Sequence, residues 1–143
     1  MSKQNHTAQE IRVLDVFKRH VASFSSGDLD AVLRDFGEHS VVVTPDGVYE
    51  GVNRIRTAYS ALLAEFGNIE RGDSPGLTVD TLHVCNDTLF ITWHAASKQH
   101  IYPFGTDTFI CDGDKFTRQS IAFSTPQPRD ANFGVTGVVA SGY

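Results

Sequence analysis

Cysteine and basic residues are scarce in this sequence of 143 residues. The two cysteines, Cys85 and Cys111, form neither a Cys-x-x-Cys pair nor a cysteine–histidine spacing, which argues against a disulfide framework and a zinc ribbon. We expect both to be buried thiols in a reducing compartment. The 12 lysines and arginines are scattered and outnumbered by 17 acidic residues. No nucleic-acid partner is expected, because phosphate binding needs clustered basic side chains.

Long apolar runs and cofactor motifs are also missing. No stretch approaches the roughly 18 apolar residues that span a bilayer, and the first residues lack the apolar centre of a signal peptide. We therefore expect a cytoplasmic protein with no membrane partner. Neither Gly-x-Gly-x-x-Gly nor a P-loop is present, and none of the six histidines stands in a His-x-His or His-x-x-x-His spacing. No cofactor and no metal are expected.

Apolar residues repeat at helical spacing in three segments of the first half of the chain. The predicted helices cover 8–25, 28–36 and 53–66. The first carries His20 inside its apolar stripe, and Asp28 is expected to cap the second. A β-branched run at 40–44 and a return strand at 48–51 flank a Pro-Asp-Gly turn, which predicts a small hairpin.

The second half of the chain reads as long antiparallel strands. The predicted strands are 77–85, 88–99, 102–111 and 115–124, separated by short turns such as Asn-Asp and Asp-Gly. Helices followed by an antiparallel sheet predict an α+β fold in which the helices cover one face. The length predicts one domain, 1–125, followed by a tail or flap at 126–143.

The strand at 88–99 carries apolar residues on both faces. Leu89, Ile91 and Trp93 alternate on one side, which we interpret as the outer face, with Trp93 as an interface anchor. Phe90 and His94 then fall on the inner face. Because both faces are apolar, we predict a homodimer that packs through the outer sheet face.

The order of elements and the local sequence resemble the NTF2-like superfamily, and within it the SnoaL-like polyketide cyclases and ketosteroid isomerases. The resemblance covers about 7–125 and is carried by segments 20–32, 41–45, 55–59 and 107–110, with Gly-Asp-Leu-Asp at 27–30 its clearest motif. It implies a cone in which a curved sheet wraps around three helices and encloses an apolar pocket. This fold hosts many activities, so it predicts architecture better than chemistry.

The resemblance also implies site residues. His20 falls where ketosteroid isomerases place an oxyanion-stabilising tyrosine, Tyr59 falls on a pocket tyrosine, and Asp107 on their protonated oxyanion-hole aspartate. Thr44 stands where those isomerases carry their general base. Since threonine cannot remove a carbon-bound proton, classical steroid isomerisation is not favoured. Polyketide cyclases of this fold use a histidine and an aspartate on neighbouring strands, which His94 and Asp107 match.

His94 and Asp107 are 13 residues apart on strands predicted to be adjacent, so their side chains are expected to meet. A carboxylate there orients the imidazole for proton transfer near neutral pH. Alternatively, burial keeps Asp107 neutral so that it donates a hydrogen bond to an enolate oxygen. The structural alternatives are that Asp107 caps a turn or pairs with Arg118, and that His94 is an ordinary sheet histidine.

The remaining predicted site residues line the pocket. Gln119 has the same strand parity as its apolar neighbours and either polarises a carbonyl or serves as a structural amide. The expected substrate-binding set is Tyr59, Thr44, Gln119, Phe90, Phe109, Ile121 and Phe123.

We predict a cofactor-independent enzyme that moves a proton next to a carbonyl of a mostly apolar, polyketide- or steroid-like compound. The reaction would be isomerisation, aldol cyclisation or dehydration. The alternative is a non-catalytic dimeric module that binds a ligand or partner. Epoxide hydrolysis ranks low, because it needs an inward arginine and Arg118 has the wrong parity.

Overall fold

The structure, a computed structural model, describes residues 5–66 and 76–129. Its elements in chain order are α1 (Ala8–Ser25), α2 (Leu29–Leu33), β1 (Val41–Thr44), β2 (Gly47–Glu50), α3 (Val52–Phe66), β3 (Leu77–Cys85), β4 (Thr88–Ala96), β5 (His100–Asp112), β6 (Lys115–Phe123) and β7 (Gln127–Pro128). The predicted tail is described only to residue 129, and β7 pairs with the start of β5. The rest of that tail, 130–143, lies outside the described residues.

The two N-terminal helices begin at side-chain caps. Thr7 and Glu10 form a reciprocal capping box at the start of α1. Asp28 accepts a hydrogen bond from the Ala31 amide at the start of α2, so the predicted cap is confirmed. Helix α2 ends at Leu33 rather than at 36, because the next amides bond three residues back in a tighter turn. This turn brings Asp35 beneath α1.

The sheet has the strand order β2-β1-β6-β5-β4-β3. All neighbours in it are antiparallel except β1 and β6, which are parallel. Register shifts interrupt the β3–β4, β4–β5 and β5–β6 ladders, and such bulges bend and twist strands. The three helices pack on the concave face through one buried core. The predicted α+β architecture is confirmed.

The faces of β4 are the reverse of those predicted. Leu89, Ile91 and Trp93 are buried on the concave face, and Trp93 is only 3% exposed. Phe90 is 45% exposed on the outer face, so the predicted pocket role of its side chain is wrong. Strand alternation separates the two sets but does not say which one the helices cover, because both contain large apolar residues.

Two smaller features concern thiols and membranes. Cys111 is buried, but Cys85 is exposed, so the expectation for Cys85 is wrong. Its strand, β3, lies at one end of the sheet order, and Val84 is the one buried residue of that strand. None of the helices that the structure describes has the length and apolar character to cross a membrane.

Candidate functional site

A cavity of about 200 Å³ lies between α1, α3 and the concave face of the sheet. Its walls are mostly apolar and comprise Phe17, Val21, Phe24, Leu62, Phe66, Leu77, Val79, Ile91, Trp93, Phe109, Ile121 and Phe123. Apolar cavities of roughly 150 Å³ hold benzene, whereas drug-sized ligands need about 300 Å³ or more. The enclosed part therefore suits a molecule built on a single ring.

Four buried polar side chains line this cavity, and we call the part that they form its closed end. They are His20, Tyr59, Asp107 and Gln119, each less than one-tenth exposed. The lining residues Val21 and Ser25 are exposed, so the cavity also reaches the surface along α1. Electrostatic interactions among the four buried groups are strong, because little water screens them.

Asp107 is the carboxyl group at the closed end. Its Oδ1 accepts a hydrogen bond from Trp93 Nε1 at 2.8 Å, and its Oδ2 accepts one from Gln119 Nε2 at 3.0 Å. Burial raises the pKa of Asp107 from 3.8 to about 6, although these two hydrogen bonds and the charge of His20 oppose the shift. The carboxyl therefore changes protonation close to neutral pH.

The position of Trp93 depends on a glycine in the neighbouring strand. Gly105 is the cross-strand partner of Trp93, and a Cβ atom at position 105 would overlap the indole ring. Without a side chain there, the indole lies against the backbone of β5 and its N–H reaches Asp107, two residues further on the same face. The sequence prediction assigned Trp93 to the outer face and missed this role.

A hydrogen-bonded chain continues from Gln119 to the helices. The Tyr59 hydroxyl donates to Gln119 Oε1 at 2.8 Å, and its oxygen lies 3.0 Å from His20 Nε2. Burial raises the pKa of Tyr59 well above its ordinary value, so the phenol stays protonated. The other ring nitrogen of His20, Nδ1, lies 3.0 Å from Oδ2 of Asp35.

Asp35 is a functional candidate that sequence reasoning missed. It is fully buried, and its Oδ1 accepts a hydrogen bond from Arg19 Nε at 2.7 Å. Asp35 lies within the predicted second helix, 28–36, and no pattern in the sequence marks its carboxyl as buried. The early end of α2 turns its carboxyl toward His20.

Comparison with models of protein families finds no match, and comparison with curated proteins finds none either. Solved structures do match. An NTF-2 like protein of unknown function from Burkholderia xenovorans LB400 superimposes with a TM-score of 0.65 at 12% identity, over 91% of this chain and 96% of its own. A putative SnoaL-like polyketide cyclase from Jannaschia sp. CCS1 gives 0.66 at 12% identity, over 85% and 92%.

A third structure, an LEH-like epoxide hydrolase from M. tuberculosis, gives a TM-score of 0.60 at 12% identity, over 80% of this chain and 84% of its own. The chain has the NTF2-like fold. This confirms the architecture that the sequence resemblance implied. At 12% identity the likeness concerns the fold alone, and the matching structures include both a putative polyketide cyclase and an epoxide hydrolase.

Within this NTF2-like cone, most of the predicted site residues meet at one cavity. The residues that line it are His20, Tyr59, Asp107, Gln119, Phe109, Ile121 and Phe123. The alternative pairing of Asp107 with Arg118 does not occur, since the Arg118 guanidinium donates to the Thr117 carbonyl.

Besides Phe90, two further predicted site residues lie away from the cavity. His94 is exposed on the outer face, where its Nδ1 lies 2.9 Å from Asp80 Oδ2, so the predicted contact with Asp107 is wrong. Asp107 pairs with Ile91 on the concave face, and His94 stands at a bulge on the other side. Thr44 does not line the cavity either. Its hydroxyl accepts a hydrogen bond from the Asp46 amide in the β1–β2 turn.

In the two described ranges, 5–66 and 76–129, no three His, Cys, Asp or Glu side chains converge as a metal ion would require. The chemistry that these residues offer is acid–base chemistry. It is centred on Asp107 and supported by Tyr59 and His20.

Proposed function

We propose that this protein is a cofactor-independent enzyme that moves a proton next to a carbonyl group of a small, mostly apolar compound. The observation that carries the proposal is the carboxyl of Asp107 at the closed end of an apolar cavity, with its pKa raised to about 6. A general base works best when its pKa lies near the working pH and water is excluded around it.

In the proposed step, ionised Asp107 takes a proton from the carbon beside the carbonyl. The C–H bond breaks, an O–H bond forms at Asp107, and the electron pair delocalises onto the carbonyl oxygen as an enolate. Asp107 then returns the proton to another atom of the same molecule. Isomerisation, aldol cyclisation and dehydration share this first step, so the proposal concerns the proton transfer common to all three.

Tyr59 and His20 are the proposed stabilisers of the enolate oxygen. The Tyr59 hydroxyl now donates to Gln119, and turning that hydrogen toward the cavity would present it to a ligand oxygen. His20 Nε2 lies 3.0 Å behind the phenol oxygen and would strengthen it as a donor. Hydrogen bonds aimed at a developing oxyanion typically contribute about 3 kcal/mol to lowering the barrier.

Cavity size narrows the expected substrates. About 200 Å³ favours a single-ring ketone or enone over a fused polyketide or a steroid, whose further rings would lie outside the enclosed part. The proposed ligand class is therefore smaller than the resemblance suggested.

A second candidate function is non-catalytic ligand binding. It is favoured by one observation: across the described residues, every buried side-chain nitrogen and oxygen already has a hydrogen-bond partner. The polar end is thus complete without a ligand, as expected of a structural network around an apolar binding pocket.

Hydrogen–deuterium exchange distinguishes the two functions without knowledge of the natural substrate. A panel of single-ring ketones and enones is incubated with the protein in D₂O, and loss of the signal from hydrogens next to the carbonyl is followed by ¹H NMR. We expect catalysed exchange that falls about 100-fold or more in Asp107→Asn. The matched control is His94→Ala on the outer face, which should exchange at the wild-type rate.

A binding module would give the opposite pattern. Panel compounds would perturb protein NMR signals of the cavity, yet none would exchange above the rate in buffer, in the wild type or in either variant. Exchange that persists in Asp107→Asn would also remove the assignment of Asp107 as the base.

We also propose that two copies pair through the outer sheet face. Its large apolar side chains Phe90, Phe104 and Val43 are each more than 40% exposed. Exposed apolar groups of this size on one sheet face are typical of an interface between copies of a chain.

A further inference from the structure

In the structure, the hydrogen bonds between His20 and Asp107 all point the same way, from His20 toward Asp107. We call this arrangement of donors and acceptors the first order. Gln119 turns its Nε2 toward Asp107, so its Oε1 must accept the hydrogen of the Tyr59 hydroxyl. A phenol has only one hydrogen, so the 3.0 Å contact between Tyr59 and His20 requires Nε2 of His20 to be the donor.

The other side of His20 faces an acceptor too. Nδ1 lies 3.0 Å from the carboxylate of Asp35, whose second oxygen is held by Arg19. In this order both ring nitrogens donate, which makes His20 an imidazolium cation. The charged groups are then balanced, with Arg19 and His20 positive and Asp35 and Asp107 negative.

Four aromatic rings enclose His20. The ring centroids of Phe36, Tyr59, Phe109 and Phe116 lie 5.2–5.8 Å from that of the imidazole, at interplanar angles of 69–89°. His20 is 5% exposed, and burial disfavours a charged side chain that has no partner. The partner that this arrangement provides is the Asp35 carboxylate, 3.0 Å from Nδ1.

The same atoms permit a second order, in which the hydrogen bonds point the other way and the number of protons is unchanged. If Asp107 is protonated, its Oδ2–H donates to Gln119 Oε1 once the amide has turned over. Gln119 Nε2 then donates to Tyr59, and Tyr59 donates to Nε2 of a neutral His20. Every group keeps a partner, and Trp93 continues to donate to Asp107.

We propose that one proton resides on either His20 or Asp107, that the hydrogen bonds of Tyr59 and Gln119 couple the two positions, and that Asp35 is the positioning residue that keeps Nδ1 of His20 protonated in both orders. The titratable or charged groups that face this chain are Arg19 and Asp35 at one end, Tyr59 in the middle and Asp107 at the other. This inference concerns where a proton resides and goes beyond the proposed reaction.

The sharing has a consequence for a ligand, and this consequence rests on the proposed function. In either order every donor has an internal partner, so a ligand oxygen receives the Tyr59 hydrogen only by displacing the group that now accepts it. A proton taken from the ligand adds to the one that His20 and Asp107 share. When His20 holds the shared proton, the proton from the ligand forms an O–H on Asp107. This O–H is free to point back into the cavity and return the proton to the ligand.

Histidine side-chain ¹⁵N NMR on the full chain tests the sharing directly. At pH 7.5 we expect both ring nitrogens of wild-type His20 to be protonated. In Asp107→Asn, the introduced amide donates to Gln119 and imposes the second order. Nε2 of His20 then loses its proton and its ¹⁵N resonance moves downfield, while His94 on the outer face stays unchanged.

Interrupting the hydrogen-bonded chain between His20 and Asp107 provides the control. Tyr59→Phe removes the hydroxyl, so adding Asp107→Asn in that background should change His20 much less, by the direct charge interaction of the two groups alone. Backbone amide spectra establish that each variant is folded. If Tyr59→Phe does not fold, Gln119→Leu interrupts the chain at its next member. Identical His20 protonation in the wild type and in Asp107→Asn would overturn the inference, and so would an equally large effect of Asp107→Asn when the hydrogen-bonded chain is interrupted. Neither readout depends on turnover.

Discussion

Gly105 lies directly opposite Trp93 on the neighbouring strand, and the missing side chain leaves the space that the indole occupies. This relationship places the Trp93 N–H on Oδ1 of Asp107, two residues along from the glycine. A backbone position thus determines the surroundings of the carboxyl that we propose as the proton carrier.

Gly105→Ala is expected to destabilise the protein by about 1–3 kcal/mol, because the new methyl group overlaps the Trp93 ring and the core must shift. Urea unfolding measures this change. The matched control is Gly37→Ala, where the nearest atom to a new Cβ, in Lys115, lies at an ordinary contact distance of 3.7 Å. Equal stability of the two variants would contradict the packing argument.

Trp93→Phe keeps a ring in place but removes the N–H donor. Because that hydrogen bond lowers the pKa of Asp107, its loss should raise the pKa further above about 6. Titration of the Asp107 carboxyl by ¹³C NMR in the wild type and in the variant measures the shift. An unchanged or lower pKa would show that Trp93 does not stabilise the ionised carboxylate.

The raised pKa of Asp107 also predicts how stability depends on pH. Its contribution to stability is complete below the unfolded pKa of 3.8 and is lost as the pH rises through about 6. The asparagine in Asp107→Asn cannot ionise. Over this range the free energy of unfolding of the variant should therefore rise relative to that of the wild type, by on the order of 2–3 kcal/mol at pH 8. Urea unfolding at pH 4.5 and 8 tests the trend. A gain that is equal at both values would contradict it.

The outer face provides a prediction about assembly. Replacing both Phe90 and Phe104 with aspartate should convert a dimer to a monomer, because like charges would meet across the interface. Light scattering after size exclusion measures the mass. A wild-type protein that is monomeric over a wide concentration range would rule out the proposed pairing.

Much of the architecture could be predicted from local patterns. Helical spacing located α1 and α3, and turn residues separated the long strands closely enough to give the α+β order. On β6 the shared parity of Gln119 and Ile121 correctly placed both at the cavity, since alternation along one strand is a local property.

The errors arose where distant parts of the chain decide the outcome. The buried face of β4 depends on Gly105 of the neighbouring strand, and the register of β4 depends on a bulge beside His94. The alternation of residues along β4 reveals neither. Asp35 reaches His20 only because α2 ends early, across a separation of 15 residues. Such contacts depend on tertiary geometry, which spacing along the sequence does not encode.

The pH dependence of ketone exchange in D₂O tests the central claim most directly. If ionised Asp107 is the base, the exchange rate of the wild type rises with pH through about 6 and then levels off, while Asp107→Asn shows no such rise. A wild-type rate that follows the same pH curve as Asp107→Asn would contradict the claim.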